Sequence, residues 1–176
     1  MKYFTTTSKA SRRAVDCVIV GVYTRSRLGV GAEDVDAASK GEITKRIKSG
    51  DVSASIGHCE ILTNVPGIKA DRVAVVGLGK SGKLTATGFK KAVTAAAQAI
   101  TRTKAKSVLN CLTLEPVDSS SAYYLARHTA ESVNDVLYRF TQMKSGRKKK
   151  GSPLSSVGLA IAKRGDAAKA MRGAEH

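Results

Sequence analysis

The chain has 176 residues, a formal net charge of +16 and a pI of about 10.0. Its length and 42% hydrophobic content allow one domain with a real core and exclude two ordinary domains. The absence of a run of about 18 apolar residues excludes a transmembrane helix, and the polar opening MKYFTTTSKASRR excludes a secretion signal, so we expect a cytoplasmic protein.

The first half of the chain predicts strands and one helix in alternation. After a short Thr-rich stretch at residues 3–6, residues 15–23 form a nearly continuous apolar run, which is typical of a central strand covered on both faces. A helix is expected to start at Asp34 as its cap, with apolar residues at helical intervals until Gly50 ends it. The segment SASIGHCEIL then ends at the turn NVPG, which predicts a hairpin with the following RVAVVGLG.

The second half continues the alternation. An alanine-rich helix is expected over residues 87–101, followed by the strand SVLNCLTL and by a helix that three serines cap at residues 119–121 and that ends near Met143. A basic loop leads to the last strand, SSVGLAIA, and the segment from Asp166 is helical in propensity. This order predicts an α/β fold of three layers, with a mixed β-sheet flanked by helices.

The glycine turn after the strand RVAVVG matches two phosphate-binding spacings, and each match has a defect. Gly77, Gly79 and Gly82 fit GxGxxG, but the following region TRTKAKSVLN lacks the acidic residue that would hold a ribose. Extended to Lys83, the turn fits GxxxxGK, but Leu84 stands where a hydroxyl would ligate magnesium. We therefore interpret the glycines as a tight strand-to-helix turn, with an anion site at the helix N-terminus as the alternative.

Several segments together resemble a known family. They are GHCEILTNVPGIKADRV, VAVVGLGK, FKKAVTAAAQAI, SVLNCLTL, SSVGLAIAKRG and AAKAMRGAEH. In this combination the chain is similar, over nearly its whole length, to the N-terminal domain of the leucyl aminopeptidase (cytosol aminopeptidase, peptidase M17) family, which includes bacterial aminopeptidase A. The resemblance implies a macro-like fold for residues 1–165, and residues 166–176 as the start of a helix that leads to a catalytic domain absent from this chain.

The resemblance also implies where catalysis takes place. The parent metallopeptidase would hydrolyse N-terminal residues from peptides with two divalent metals, zinc or manganese, held in the catalytic domain, and would assemble as a hexamer. This chain has scattered acids, and its histidines and cysteines lack the spacing of metal ligands. These residues are His58, His128, His176, Cys17, Cys59 and Cys111. We therefore expect no catalytic or metal site and no cofactor in this chain.

The charge suggests a partner for the domain. An excess of 16 positive charges attracts polyanions, so DNA is the expected partner, and the family resemblance implies a DNA-binding role as well. The residues expected to bind nucleic acid are Lys144, Arg147, Lys148, Lys149, Lys150, Lys163 and Arg164. An aromatic content of 5% without tryptophan argues against base stacking, so binding should be dominated by phosphate contacts.

Two alternatives remain open. One is a purely structural domain that serves assembly of the aminopeptidase hexamer, in which case the isolated chain should bind nothing. A macro-like fold also allows a nucleotide resembling ADP-ribose to bind in the loop after Gly77.

Overall fold

The structure, a computed structural model, describes residues 1–143 and 151–176. Its strands are β1 (Lys2–Thr6), β2 (Cys17–Tyr23), β3 (Arg27–Leu28), β4 (Cys59–Thr63), β5 (Arg72–Gly77), β6 (Ser107–Asn110) and β7 (Ser156–Ala160). Its helices are α1 (Val30–Ala38), α2 (Glu42–Lys48), α3 (Ala86–Thr101), α4 (Ala122–Met143) and α5 (Ala167–Glu175), with single 3-10 turns at Leu112–Leu114 and Arg164–Asp166. No helix among these residues is both long and apolar enough to cross a membrane.

All seven strands belong to one mixed sheet. The strand order is β1-β7-β6-β2-β5-β4, and the short β3 pairs with the end of β2. Five strands, β1, β7, β6, β2 and β5, run parallel to one another. The other two, β4 and β3, are antiparallel to their partners. The carboxyl ends of the five parallel strands therefore meet along one side of the sheet, which we call the carboxyl edge. The opposite side is the amino edge.

The central strand β2 is buried on both faces, as its apolar run predicts. Side chains alternate across a strand, so Cys17 and Ile19 pack in the cluster that contains α3 and α4, whereas Val18 and Val20 pack in the cluster that contains α1 and α2. Helices thus cover both faces of the sheet, and the predicted three-layer α/β fold is confirmed.

The alanine-rich helix α3 is close to its predicted bounds. The side chain of Thr85 caps it by accepting a hydrogen bond from the Gly88 amide at 3.1 Å. The buried Ala92 and Ala96 bring the helix close to the sheet, and Phe89 of the same helix is fully buried. This helix therefore supplies a large part of the core on its face of the sheet.

The prediction of a single helix between Asp34 and Gly50 is wrong. The helical segment begins earlier, at the start of α1, and a break separates α1 from α2. Lys40 and Gly41 have left-handed backbones at the break, with φ of 58° and 89°. Asp34 lies inside α1, where its carboxylate accepts a hydrogen bond from the Ser11 amide at 2.7 Å, so it fixes a distant loop and caps no helix.

The predicted hairpin around NVPG is confirmed, since β4 and β5 are antiparallel neighbours. Gly67 has φ of 77° and supplies the left-handed position of the turn. The segment SVLNCLTL yields a strand of four residues only. Its end is fixed by the side chain of Asn110, which accepts a hydrogen bond from the Leu112 amide at 3.0 Å and turns the chain into a 3-10 turn.

Candidate functional site

Two loops at the carboxyl edge form a recess of about 290 Å³ with a strongly positive lining. One loop joins β2 to β3, and the other follows β5 and contains the glycine turn. The hydroxyl side chains of Thr24 and Ser81 line the recess together with four cationic residues. These cations are Arg25, Arg27, Lys80 and Lys83, and we call the space they surround the basic recess.

Backbone hydrogen bonds bring the two loops together. Parallel pairing places Val22 of β2 beside Gly77 of β5, so both strands end at the same level. Beyond that point, the Leu78 amide donates to the Val22 carbonyl at 2.9 Å, and the Thr24 amide donates to the Gly79 carbonyl at 2.9 Å. The two pairs of cations, far apart in the sequence, therefore face one space.

The four cations lack carboxylate partners within the parts of the chain that the structure describes. All four residues are exposed, and none belongs to an ion pair of 4.0 Å or less there. One acid, Glu33, lines an adjoining open space together with Arg27 and Ser81. The recess therefore presents positive charge to solvent without local neutralisation, which is what an external anion requires.

A buried carboxylate lies behind the first loop. Glu115, which is 5% exposed, accepts hydrogen bonds from the Tyr23 hydroxyl at 2.7 Å and from the Val30 amide at 2.6 Å. Burial raises the pKa of Glu115, against the lowering effect of these two hydrogen bonds. Burial, followed by the bond to Glu115, also raises the pKa of Tyr23. Position 29 is glycine because any side chain there would collide with the Glu115 carboxylate.

The glycine turn directs its first amides into the protein. The Gly77 amide donates to the His58 carbonyl at 2.9 Å, and the Gly79 amide donates to the Ala54 carbonyl at 2.8 Å. Gly82 is exposed, with φ of 76°. The N-terminus of α3 is approached by the protein's own carboxylate, since Asp118 accepts a hydrogen bond from the Ala86 amide at 3.3 Å. An anion at this turn would therefore depend on the lysine side chains of the basic recess.

The residues expected to bind nucleic acid are only partly described. Lys144 and residues 147–150 lie outside the described residues. Lys163 and Arg164 follow β7 and are exposed at the carboxyl edge, on the same side of the sheet as the basic recess. The segment before β7 lies at the amino edge, where the Ser155 amide donates to the Lys106 carbonyl at 2.8 Å. Lys163 and Arg164 are therefore at the far end of β7 from residue 151.

Neither the histidines nor the cysteines form a metal site in the described parts of the chain, where no group of three His, Cys, Asp or Glu side chains converges. The Nδ1 atom of His176 lies 2.6 Å from the Tyr123 hydroxyl, and His128 faces Glu131 at 3.7 Å. Burial raises the pKa of each cysteine to about 12, so the thiols carry little thiolate at neutral pH.

Reasoning from the sequence missed the basic recess. The sequence predicts a role for Lys83 only within a phosphate-loop spacing, and it predicts none for the segment TRSR after β2. A usable signal was present, because both loops follow apolar runs typical of neighbouring parallel strands, and the loops after such strands meet at one edge. What the sequence did not provide was the pairing of β2 with β5.

Comparison with known proteins agrees with this fold. Residues 19–147 match the family described as cytosol aminopeptidase family, N-terminal domain. The chain is 34% identical over 171 residues to a probable cytosol aminopeptidase of Halorhodospira halophila, covering 97% of this chain and 34% of that protein. The chain therefore spans about a third of the length of this curated relative.

Solved structures show the same architecture. A mutant of tomato leucine aminopeptidase superposes with a TM-score of 0.74 at 20% identity, covering 99% of this chain and 35% of that chain. A Trypanosoma brucei macrodomain in complex with ADP superposes with a TM-score of 0.69 at 11% identity, covering 97% of this chain and 67% of that chain. These likenesses show a macro-like fold.

Proposed function

The chain belongs to the cytosol aminopeptidase family, as an N-terminal domain, and from this premise we propose that it is a non-catalytic module that binds DNA through the carboxyl edge of its sheet. The parent protein would remove N-terminal residues from peptides in a separate catalytic domain that holds two divalent metals, zinc or manganese. In a hexamer of that protein, this module would contact its own catalytic domain and its neighbours.

The observation that carries the DNA-binding proposal is the basic recess. Four exposed cations surround one space without a carboxylate partner in the described ranges, in a chain with a net charge of +16. Two of them are arginines, whose planar guanidinium groups bind phosphate oxygens in pairs. Phosphate is the anionic group that best matches this combination.

The positive surface is longer than one phosphate. Lys163 and Arg164 follow β7, which is separated from β5 by β6 and β2. At about 4.8 Å between neighbouring strands, this separation is about 14 Å. A DNA strand carries one phosphate per 3.4 Å of helix axis, so an edge of this length is long enough to contact several phosphates. Contacts of this kind carry little sequence information, and we expect weak sequence preference.

Binding of a labelled duplex, followed by fluorescence anisotropy across a salt series, tests the proposal. We expect micromolar or tighter binding at low salt, with the logarithm of the affinity falling by about 0.9 per phosphate contact for each tenfold rise in salt. In a recess variant, all four cations of the basic recess are changed to alanine, which should weaken binding and flatten the salt dependence. No binding at low salt, or an affinity that does not change with salt concentration, would contradict the proposal.

A matched control removes the same charge from another surface. It changes four cations that are ion-paired in the structure to alanine, namely Arg46, Lys90, Arg127 and Arg139. The control variant should retain most of the affinity that the recess variant loses. A third variant, with residues 147–150 changed to alanine, measures the contribution of the loop that the sequence predicts to bind DNA. Equal losses of duplex affinity in the recess and control variants would mean that binding depends on net charge alone and would contradict a role for the recess.

Absence of peptidase activity is a separate part of the proposal. The described residues hold no cluster of metal ligands, so the purified chain should not hydrolyse a leucine chromogenic substrate with zinc or manganese added. Hydrolysis that a chelator abolishes would contradict it.

One observation favours a nucleotide as the second candidate ligand. The basic recess lies at the carboxyl ends of parallel strands, where open α/β sheets bind ligands, and the superposed macrodomain was solved with ADP. A rise in melting temperature with ADP-ribose, lost in the recess variant, would support this ligand. If neither DNA nor ADP-ribose binds, a purely structural role in the hexamer remains.

A further inference from the structure

We propose that Glu115 is a positioning residue for the basic recess: its carboxylate ties together the two arms of the loop that carries Arg25 and Arg27. The proposal rests on the proposed function, because it concerns how the same recess is held ready for phosphate. Glu115 does not line the recess, so it would act through the loop and not on the ligand.

The loop needs such a tie because only a few backbone hydrogen bonds hold it, among them those donated by the Thr24 and Gly29 amides. Strand β3 is only two residues long, and it pairs with β2 alone, through Val22 with Leu28 and Tyr23 with Arg27. Between the arms, Arg25 and Ser26 have left-handed backbones, with φ of 62° and 57°. A two-residue strand beside an exposed turn has few hydrogen bonds to keep it in place, so it would otherwise open readily.

Glu115 contacts one arm on each side of this turn. One carboxylate oxygen accepts from the Tyr23 hydroxyl at the end of β2, and the other accepts from the Val30 amide just beyond β3. Both distances, 2.7 and 2.6 Å, are those of strong hydrogen bonds to a charged acceptor. The backbone of Glu115 ends the 3-10 turn after β6, where its amide donates to the Leu112 carbonyl at 3.1 Å.

The surrounding residues are adapted to this contact. Gly29 leaves the space that the carboxylate occupies, and its amide donates to the Gly21 carbonyl at 2.8 Å. A buried carboxylate loses hydration, which is costly unless each oxygen is hydrogen-bonded. Two such bonds, made to separate arms of one loop, offset that cost and make the arms move together. The position of the two arginines is thereby coupled to a residue that lies 85 positions from Val30.

Hydrogen exchange tests the tie without any ligand. In Glu115→Ala, both bonds are lost, and the amides of Arg27, Gly29 and Val30 should exchange at least tenfold faster than in the unchanged chain. Glu115→Gln can still accept from the Val30 amide and donate to the Tyr23 hydroxyl oxygen, so it should restore most of the protection. Unchanged exchange of these amides in Glu115→Ala would overturn the proposal, whether or not the chain binds DNA.

A double-mutant cycle tests the link to binding. Glu115→Ala should weaken duplex binding by about the same factor as the pair Arg25→Ala and Arg27→Ala, and combining all three changes should add less than a further twofold loss. The pair Lys80→Ala and Lys83→Ala should instead keep its full effect in the Glu115→Ala background. Independent losses for Glu115 and the arginines would overturn the proposal.

A milder variant guards against loss of the fold. Tyr23→Phe removes one of the two hydrogen bonds and leaves the aromatic ring in the core. It should produce the same faster exchange and the same coupling to the arginines, each to a smaller extent. Failure of the unchanged chain to bind duplex would contradict only the DNA proposal. The role of Glu115 is tested separately, because the hydrogen-exchange experiment uses no ligand.

Discussion

The lysine and arginine side chains of the basic recess differ in their surroundings from those on the outer surface of α3 and α4. On the helices, Lys90 and Arg127 share Glu131 at 3.4 and 3.0 Å, and Arg139 lies 3.3 Å from Asp135. In the recess, four cations face one space without a carboxylate within 4.0 Å in the described parts of the chain. These helical cations thus have carboxylates beside them, whereas the recess concentrates four unpaired positive charges at one place on the carboxyl edge.

The two regions also differ in what lies beneath them. Under α3 and α4 is the larger hydrophobic cluster, whereas the recess loops are exposed and contain left-handed backbone at Arg25, Ser26, Gly79 and Gly82. We infer that the core under α3 and α4 contributes most to stability and that binding resides in the loops. Changes to one region should then leave the property of the other unaltered.

The largest effect on stability is expected in the core under α3 and α4. Phe89→Ala removes a fully buried ring and should lower the free energy of unfolding by about 3–5 kcal/mol, measured by urea denaturation. Duplex binding by the remaining folded chain should be unchanged, because Phe89 does not line the recess. Phe89→Leu serves as the control with a smaller cavity. A loss of affinity while the chain is still folded would break the separation of the two regions.

The next effect concerns binding alone. Lys80→Ala and Lys83→Ala should each reduce the salt dependence of duplex affinity by about one phosphate contact. Both side chains are exposed, so the free energy of unfolding should stay within about 0.5 kcal/mol of the original value. Paired measurements of anisotropy and urea denaturation check this. Matching losses of stability and affinity would mean that the lysines support the fold.

A smaller effect distinguishes two carboxylates by pH. Burial raises the pKa of Glu115 in the folded chain, so the stability linked to its protonated form is present below the unfolded pKa of about 4.3 and is lost as the pH rises through the folded pKa. We therefore compare the free energy of unfolding of the original chain with that of Glu115→Gln. The difference, original minus variant, should be smaller at about pH 7 than at about pH 4. Urea denaturation at both pH values measures it, and a rise would contradict the burial effect.

The smallest effect is expected at Glu131, whose pKa is lowered, mainly by its hydrogen bond to Arg127. Its contribution to stability is present above the unfolded pKa and is lost as the pH falls through the folded pKa, opposite in sign to that of Glu115. Because the pairs are exposed, Glu131→Gln should lower the melting temperature only slightly, and less at high salt. A change as large as that of Phe89→Ala would refute the view that this surface contributes little.

The fold was largely predictable because its strongest patterns are local. The apolar run of β2, the NVPG turn and the alanines of α3 each indicate one element from nearby residues. The break between α1 and α2 was missed because the apolar residues on both sides keep roughly helical spacing. The side chain of Asp36 accepts from the Thr44 amide at 2.9 Å, and this contact stabilises the start of a second helix.

The site was less predictable because its parts are local in space and distant in sequence. A run of basic residues is easily recognised in a sequence, whereas Arg25 and Lys83 are separated by two helices and three strands along the chain. Only the parallel pairing of β2 with β5 makes them neighbours. Glu115 was missed for the same reason, since it follows β6, whereas its two partners lie at the end of the neighbouring strand β2 and at the start of α1.

The pairing of β1 with β7 has a consequence for how the molecule is made. Lys2 lies opposite Ser156, so the first strand of the sheet finds its partner only after almost all of the described chain has been synthesised. At about 5–20 residues per second, β1 waits on the order of 10–30 s on the ribosome with its backbone unpaired. Closure of the sheet by long-range parallel pairing is then expected to be a late and slow step in folding, after the local hairpin of β4 and β5 has formed.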